Sequence, residues 1–335
     1  MDQRYIHKFD ELNKFTSPEI LVTDYFSFVN HKLRLKKKNI ISWHNTSDIH
    51  TETSKKIIQG LEKNPDAKII LINDGSIDID HPNCYNIKTK YHHVTMLDIN
   101  EWNMPVPTKE KNKWFLSLNK RANYFRQYLF AKIIENNLLD YGYLSYLCET
   151  DKGNNKKIVY GDKDQYIKFD IGLELVDKIP FYNFDQELST TGTLIANYPW
   201  QQANDCLFQI ICETYLTPQM FLTEKTLLPL AAGLFPLIIG CSDAMKNLED
   251  LGFIFNKDIF DYTSWDNHCR GQIKMDGILT HLQHLIKNES LSELCEKWYP
   301  YSLHNYHYYR NGFIENWNAE KKIILDKLSD LLNLM

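Results

Sequence analysis

The stretch TEKTLLPLAAGLFPLIIG, residues 223–240, decides the fold class, because it runs a helix start directly into a buried strand. Thr223 has the hydroxyl of a good N-cap, and Glu224 follows at the first helical position, where its charge suits the helix dipole. Gly233 supplies a stop before the strand Phe235 to Ile239, and Pro229 predicts a kink or an early end to the helix. A helix N-terminus with unpaired N–H groups beside a lysine can hold a diphosphate, and a neighbouring carboxylate can accept two ribose hydroxyls. Thr223, Glu224 and Lys225 are therefore read together as a nucleotide grip.

Outward from this stretch, strand and helix patterns alternate, the layout of parallel sheets with helices on both faces. Ile40 to Trp43 reads as a strand, Thr53 to Leu61 as a helix, and Lys68 to Ile72 as a strand ending at Asn73-Asp74-Gly75. Asn103 to Asn112, with two prolines and three charges, reads as a linker. Phe115 to Arg121 is a short strand with a basic end, and it opens a helix in which Phe125, Leu129 and Ile133 recur every four residues. Residues 150–170 read as a loop. Ser242 reads as the cap of a helix through Leu251, and Phe253-Ile254-Phe255 as a further strand. The expected domains are 1–108, 109–312 and a terminal amphipathic helix, 313–335, crossing back to the first; Trp317, Ile324, Leu325, Leu328, Leu331 and Leu332 share one face of that helix.

The 335 residues are 43% hydrophobic, enough for two medium cores. A net charge of −5 gives no overall attraction to nucleic acid. Seven cysteines without a CxxC pair fit a reducing compartment, and the N-terminus lacks the apolar core of a signal peptide, so the expectation is a cytoplasmic protein. The basic run Lys32 to Lys38 reads as a solvated helix end and leaves peripheral contact with anionic lipid headgroups open.

Phe221 to Thr226 with Ala231 to Gly240, together with Phe115 to Arg121, resemble the donor-binding half of the α-1,3-fucosyltransferases and their looser GT-B relatives. Asn137 to Ser145 and Leu251-Gly252-Phe253 are similar too, so the likeness covers roughly residues 113 to 275 with moderately specific motifs. The resemblance implies an α/β protein of GT-B architecture, two Rossmann-like domains facing each other across a cleft. It implies a metal-independent glycosyltransferase that moves a sugar from a nucleotide-activated donor to a hydroxyl of a glycan or lipid-linked glycan, with no cofactor beyond the donor. Arg121 matches the arginine that contacts the donor diphosphate in those enzymes, with Asn119 and Lys120 beside it. A cation in a helix first turn opposes the dipole, which also favours a ligand role for Arg121. Glu213, in Cys212-Glu213-Thr214, stands where the family usually has Glu-Asn, a departure that leaves the donor's sugar and base open.

A general base is expected from the N-terminal domain, with His44, Asp48, His50 and Asp74 as candidates and Asp74 preferred. Asp78-Ile79-Asp80 has the D-x-D form by which GT-A transferases hold a divalent ion, although its irregular surroundings read as a solvated loop. A nucleotide- or glycan-binding module without turnover is the non-enzyme alternative. His92, His93, His304 and His307 complete no zinc spacing, so no metal is assigned, and the aromatic run Trp298 to Tyr309 reads as core.

Overall fold

The computed structural model describes residues 10–24, 35–42, 50–73, 79–89, 104–119, 124–146, 198–213, 224–268 and 271–335. They form two compact units, each built on one four-stranded parallel sheet. The first unit takes the described residues up to 89 together with 311–335, and the second takes those from 104 to 310.

In the first unit, β1 (Ile20–Asp24), β2 (Lys38–Ser42), α1 (His50–Lys63), β3 (Lys68–Asn73) and β4 (Cys84–Lys88) give the sheet order β1-β2-β3-β4. Ile41, Ile69 and Leu71 pack with Ile57 and Leu61 of α1, while the alternate residues Ile40, Ile70 and Ile72 are equally buried. Burial on both faces produces the continuous apolar runs by which β2 and β3 are recognisable in sequence. β1 and β4 lie at the sheet's edges, and their mixed sequences ILVTD and CYNIK carry no such signal.

In the second unit, β5 (Lys113–Asn119), α2 (Tyr124–Glu135), β6 (Gly142–Tyr146), α3 (Trp200–Asn204), β7 (Cys206–Cys212), α4 (Glu224–Ala231), β8 (Phe235–Ile239), α5 (Ala244–Asp250), α6 (Gly271–Asn288) and α7 (Leu291–Arg310) surround a sheet ordered β6-β5-β7-β8. Every residue of β7 and β8 is buried. Phe208, Phe235 and Phe260 pack edge-on or tilted against one another, and Trp298 of α7 stacks parallel to both Phe255 and Tyr301. The aromatic run of α7 is therefore core. Tyr262 and Trp265 are buried as well.

Pro229 acts as its position predicts. Having no N–H, it cannot complete the helical bond to the carbonyl of Lys225, and α4 ends two residues later. Gly233 turns the chain at φ +73, Leu234 N–H donates to Pro229 O at 2.9 Å, and Trp298 Nε1 donates to Gly233 O at 2.8 Å.

Three sequence readings are corrected. Ser242 does not cap α5: the cap position belongs to Asp243, at φ 52 and with no side-chain cap bond, and the capping oxygen comes instead from distant Asp266. Phe253 to Phe255 form no strand; Asn305 of α7 bonds both the N–H and the C=O of Ile254, at 2.9 and 2.8 Å, giving the extended backbone an amide partner in place of a neighbouring strand. The polar, proline-bearing segment is no free linker, since residues 104–112 pack along the second unit with Met104, Pro107 and Lys111 buried. Prolines there fit a surface strap as readily as a flexible joint.

The last helix, α8 (Gly312–Leu334), belongs to the first unit and buries Phe313, Trp317, Ile324, Leu328 and Leu332 at a spacing close to the helical repeat. Lys38 Nζ and Lys68 Nζ, at the starts of β2 and β3, donate to Leu332 O and Met335 O at 2.8 and 3.5 Å. Cations thus meet the negative end of the helix dipole. Among the described residues no helix is long and apolar enough to cross a membrane.

Lys111 Nζ donates to Asn204 O at 2.6 Å, and burial lowers its pKa from 10.5 to about 8. Between these two values the unfolded chain binds the proton that the folded chain releases, so this lysine makes stability rise with pH. Urea unfolding midpoints measured from pH 8 to 10 should therefore rise more for the wild type than for Lys111→Met.

Candidate functional site

In open parallel α/β sheets, ligands bind outside the carboxyl ends of the strands. In the second unit that end carries Asn119 of β5, Cys212 and Glu213 at the end of β7, and Ile239 and Gly240 at the end of β8. Glu213 extends the ladder by one bond, its N–H donating to Ile239 O at 2.9 Å. Its carboxylate has 0% side-chain exposure, which is unfavourable unless the protein compensates the charge.

Compensation comes from the first turn of α4. Thr226, itself fully buried, donates its hydroxyl to Glu213 Oε1 at 2.7 Å, and Lys225 Nζ lies 3.6 Å from Oε2 with its side chain 19% exposed. The helix N-terminus adds its own positive potential. Lys225 is therefore not a bare cation at the mouth of a helix, as the sequence suggested, but one whose charge is already engaged by Glu213. Gly240 closes the other side: a methyl group there would approach Glu213 Cγ to 3.2 Å.

Arg126 adds a charge that the sequence reading missed. It lies in the first turn of α2, is 5% exposed, and donates from Nη2 to Cys212 O at 3.3 Å. A cation in the first turn of α2 opposes the helix dipole, so the signal for Arg126 in the sequence is a second arginine five residues beyond Arg121. Asn119 is 1% exposed and donates to Ser117 Oγ at 3.0 Å, while its Oδ1 has no partner among the described residues. An unsatisfied buried oxygen is uncommon and needs a reason.

The structure thus brings Asn119, Glu213 and Lys225 to one end of one sheet, with Arg126 and Thr226. Glu224 opens α4, while Asp74, Lys120, Arg121 and Thr223 lie outside the described residues. So do His44, Asp48 and Asp78; Asp80 is exposed.

The N-terminus of α5, which also faces the carboxyl end of its strand, cannot serve as a second anion site. Asp266 Oδ2 accepts from Met245 N at 3.0 Å and Lys246 N at 3.3 Å, filling it with a carboxylate of the chain itself. Burial raises the pKa of Asp266, opposed by Lys274 3.2 Å away. At the opposite, amino-terminal end of the sheet lies a polar pocket of about 410 Å³ that includes Thr108, Asn112, Tyr143, Asn204 and Asp205. Tyr143 and Asn112 donate to the two oxygens of Asp205 at 2.7 and 2.6 Å, and the tyrosine pKa is pushed up to about 12 by this bond and by burial. Its carboxylate is spent on tying strands to the 104–112 strap.

Comparison with protein-family models, with curated proteins and with solved structures finds no match to this chain.

Thr226→Val keeps the shape of the side chain but removes a donor to a buried charge. It should cost about 1.5–3 kcal/mol of unfolding free energy, measured in urea at pH 7.

Proposed function

We propose that the second unit binds the diphosphate of a nucleotide-activated sugar at the carboxyl end of its sheet, and that the chain is a metal-independent glycosyltransferase of GT-B architecture acting on a hydroxyl of a glycan or lipid-linked glycan. The carrying observation is the buried Glu213 with its partners Thr226 and Lys225, beside which Arg126 arrives from a separate helix. Two stretches read independently in the sequence contribute to this one end through their described residues, Asn119 from the first and Lys225, Thr226 and Gly240 from the second. Asn119 Oδ1, without a partner among the described residues, adds support, since a ligand hydroxyl or amine there would satisfy it.

Chemically, breaking a sugar–phosphate bond puts negative charge on the leaving diphosphate. Positioned guanidinium and ammonium groups stabilise it without a metal ion. In this proposal Arg126, Lys120 and Arg121 face the diphosphate, Lys225 balances Glu213 while reaching the ligand with its exposed part, and Glu224 takes the ribose hydroxyls. Asp74, from the first unit, removes the acceptor's proton. Cytoplasmic synthesis of a surface or lipid-linked glycan is the setting by analogy with such enzymes.

Chelation provides the first test. Transfer or donor hydrolysis should persist in EDTA, whereas activity lost in EDTA and restored by Mn²⁺ would replace this reading by one using Asp78 and Asp80. Tight nucleotide binding without any turnover, with acceptors supplied, would leave a binding module.

The arginines provide the second. Arg126→Ala should weaken nucleoside diphosphate binding by about 10- to 100-fold, the worth of a charge-assisted hydrogen bond. Arg126→Lys should recover only part of it, because lysine lacks the planar fork. Arg121→Ala should instead lower kcat by about 10²-fold at saturating donor. Calorimetry and steady-state kinetics separate the two effects, and wild-type behaviour of both alanine variants would remove the diphosphate from this end of the sheet.

A further inference from the structure

Lys274 and Asp266 form an ion pair with almost no exposure, 0% and 6% by side chain, at 3.2 Å. Stability does not require such a pair, because well-packed apolar residues of similar volume often serve as well. Its groups do something directional instead. Lys274 Nζ donates to Cys241 O at 2.6 Å, Asp243 N–H donates to Asp266 O at 2.7 Å, and Asp266 Oδ2 takes the N–H groups of Met245 and Lys246. Four bonds from two residues thus converge on residues 241–246, where the chain leaves β8 and enters α5. The left-handed backbone of Asp243, at φ 52, is held in place by them.

The turn they hold begins at Gly240, whose α-carbon packs on the Glu213 side chain closely enough that an added methyl would meet Cβ and Cγ at 3.3 and 3.2 Å. Ile239, immediately before it, accepts the Glu213 N–H. A mechanical path therefore runs from the ion pair through Cys241 and Gly240 to Glu213, and from Glu213 to Lys225 and Thr226.

We infer that Lys274 and Asp266 are positioning residues for the Glu213–Lys225–Thr226 constellation, setting the wall against which the buried carboxylate is aligned. The inference rests on the nucleotide-binding reading for its consequence in ligand affinity, but the alignment itself can be measured without ligand.

The double variant Asp266→Asn/Lys274→Met removes both charges and the bond to Cys241 while leaving an amide oxygen to cap α5. In the full-length chain, residue-resolved amide exchange by NMR should show at least tenfold faster exchange for residues 241–246 and for Glu213, with the amides of β5 unchanged. Acceleration confined to 241–246, with Glu213 unaffected, overturns the inference. Affinity for guanosine and uridine diphosphates should fall by about tenfold, the scale expected from sub-ångström misplacement. Equal affinity in wild type and variant also overturns it. If the wild type binds neither diphosphate while Glu213 exchange responds as expected, the positioning role stands and the nucleotide reading fails.

Should the double variant not fold, Gly240→Ala tests the same path from its middle. The added methyl should speed Glu213 exchange and weaken diphosphate binding, and a variant with both unchanged would overturn the inference.

Discussion

Glu213 places a carboxylate where its side chain has no solvent exposure, and the protein answers with a threonine hydroxyl, a lysine and the start of a helix. Much of the second unit's architecture follows from that demand. Helix α4 must begin where it can present Lys225 and Thr226 to the end of β7, so its first turn is fixed by electrostatics. Its last turn is fixed by Pro229 and Gly233. Between those limits there is room for only two turns, and the chain returns directly into β8, whose final carbonyl binds Glu213 again.

The same end of the sheet shows how helix N-termini are allocated. Besides α2, two helices, α4 and α5, start after strands that end there. One is met by Glu213, which shares its negative charge with a lysine that is still partly exposed; the other is closed by Asp266, whose negative charge is held by a fully buried lysine. The N–H groups that open α5 are therefore already occupied by Asp266, whereas the partly exposed cation lies on α4, with Arg126 of α2 beside Cys212. This asymmetry gives the proposed donor site a direction along the sheet edge.

Buried charge also explains features remote from the site. Lys111 is buried against the carbonyl of Asn204, and Asp205 is tied by Tyr143 and Asn112, so polar contacts fasten the strap 104–112 to the amino-terminal ends of the strands alongside the buried Met104 and Pro107. Cys206 and Cys295, on this side of the unit, and Cys212 at the far end of β7 are buried thiols whose pKa values burial raises, which leaves them protonated and unreactive at neutral pH.

From sequence alone the α/β class, the strands β2, β3, β5 and β8, the early end of α4 and the amphipathic face of the last helix were legible, because each depends on local periodicity or on a proline or glycine. Asn119, Glu213 and Lys225 could be named as candidates for the same reason, being adjacent to strand ends and a helix start. Tertiary structure decided what no local pattern records. Edge strands β1 and β4 lack a two-sided apolar run, and Asn305 replaces a strand partner for Ile254 from 51 residues away. Asp266 caps a helix 20 residues upstream of itself, and Arg126 turns inward onto β7 rather than outward from α2. Above all, Lys225 pairs with Glu213, and their separation in sequence says nothing of where they meet. Long-range electrostatic compensation is set by which groups the fold buries together, and burial is a property of the packed chain.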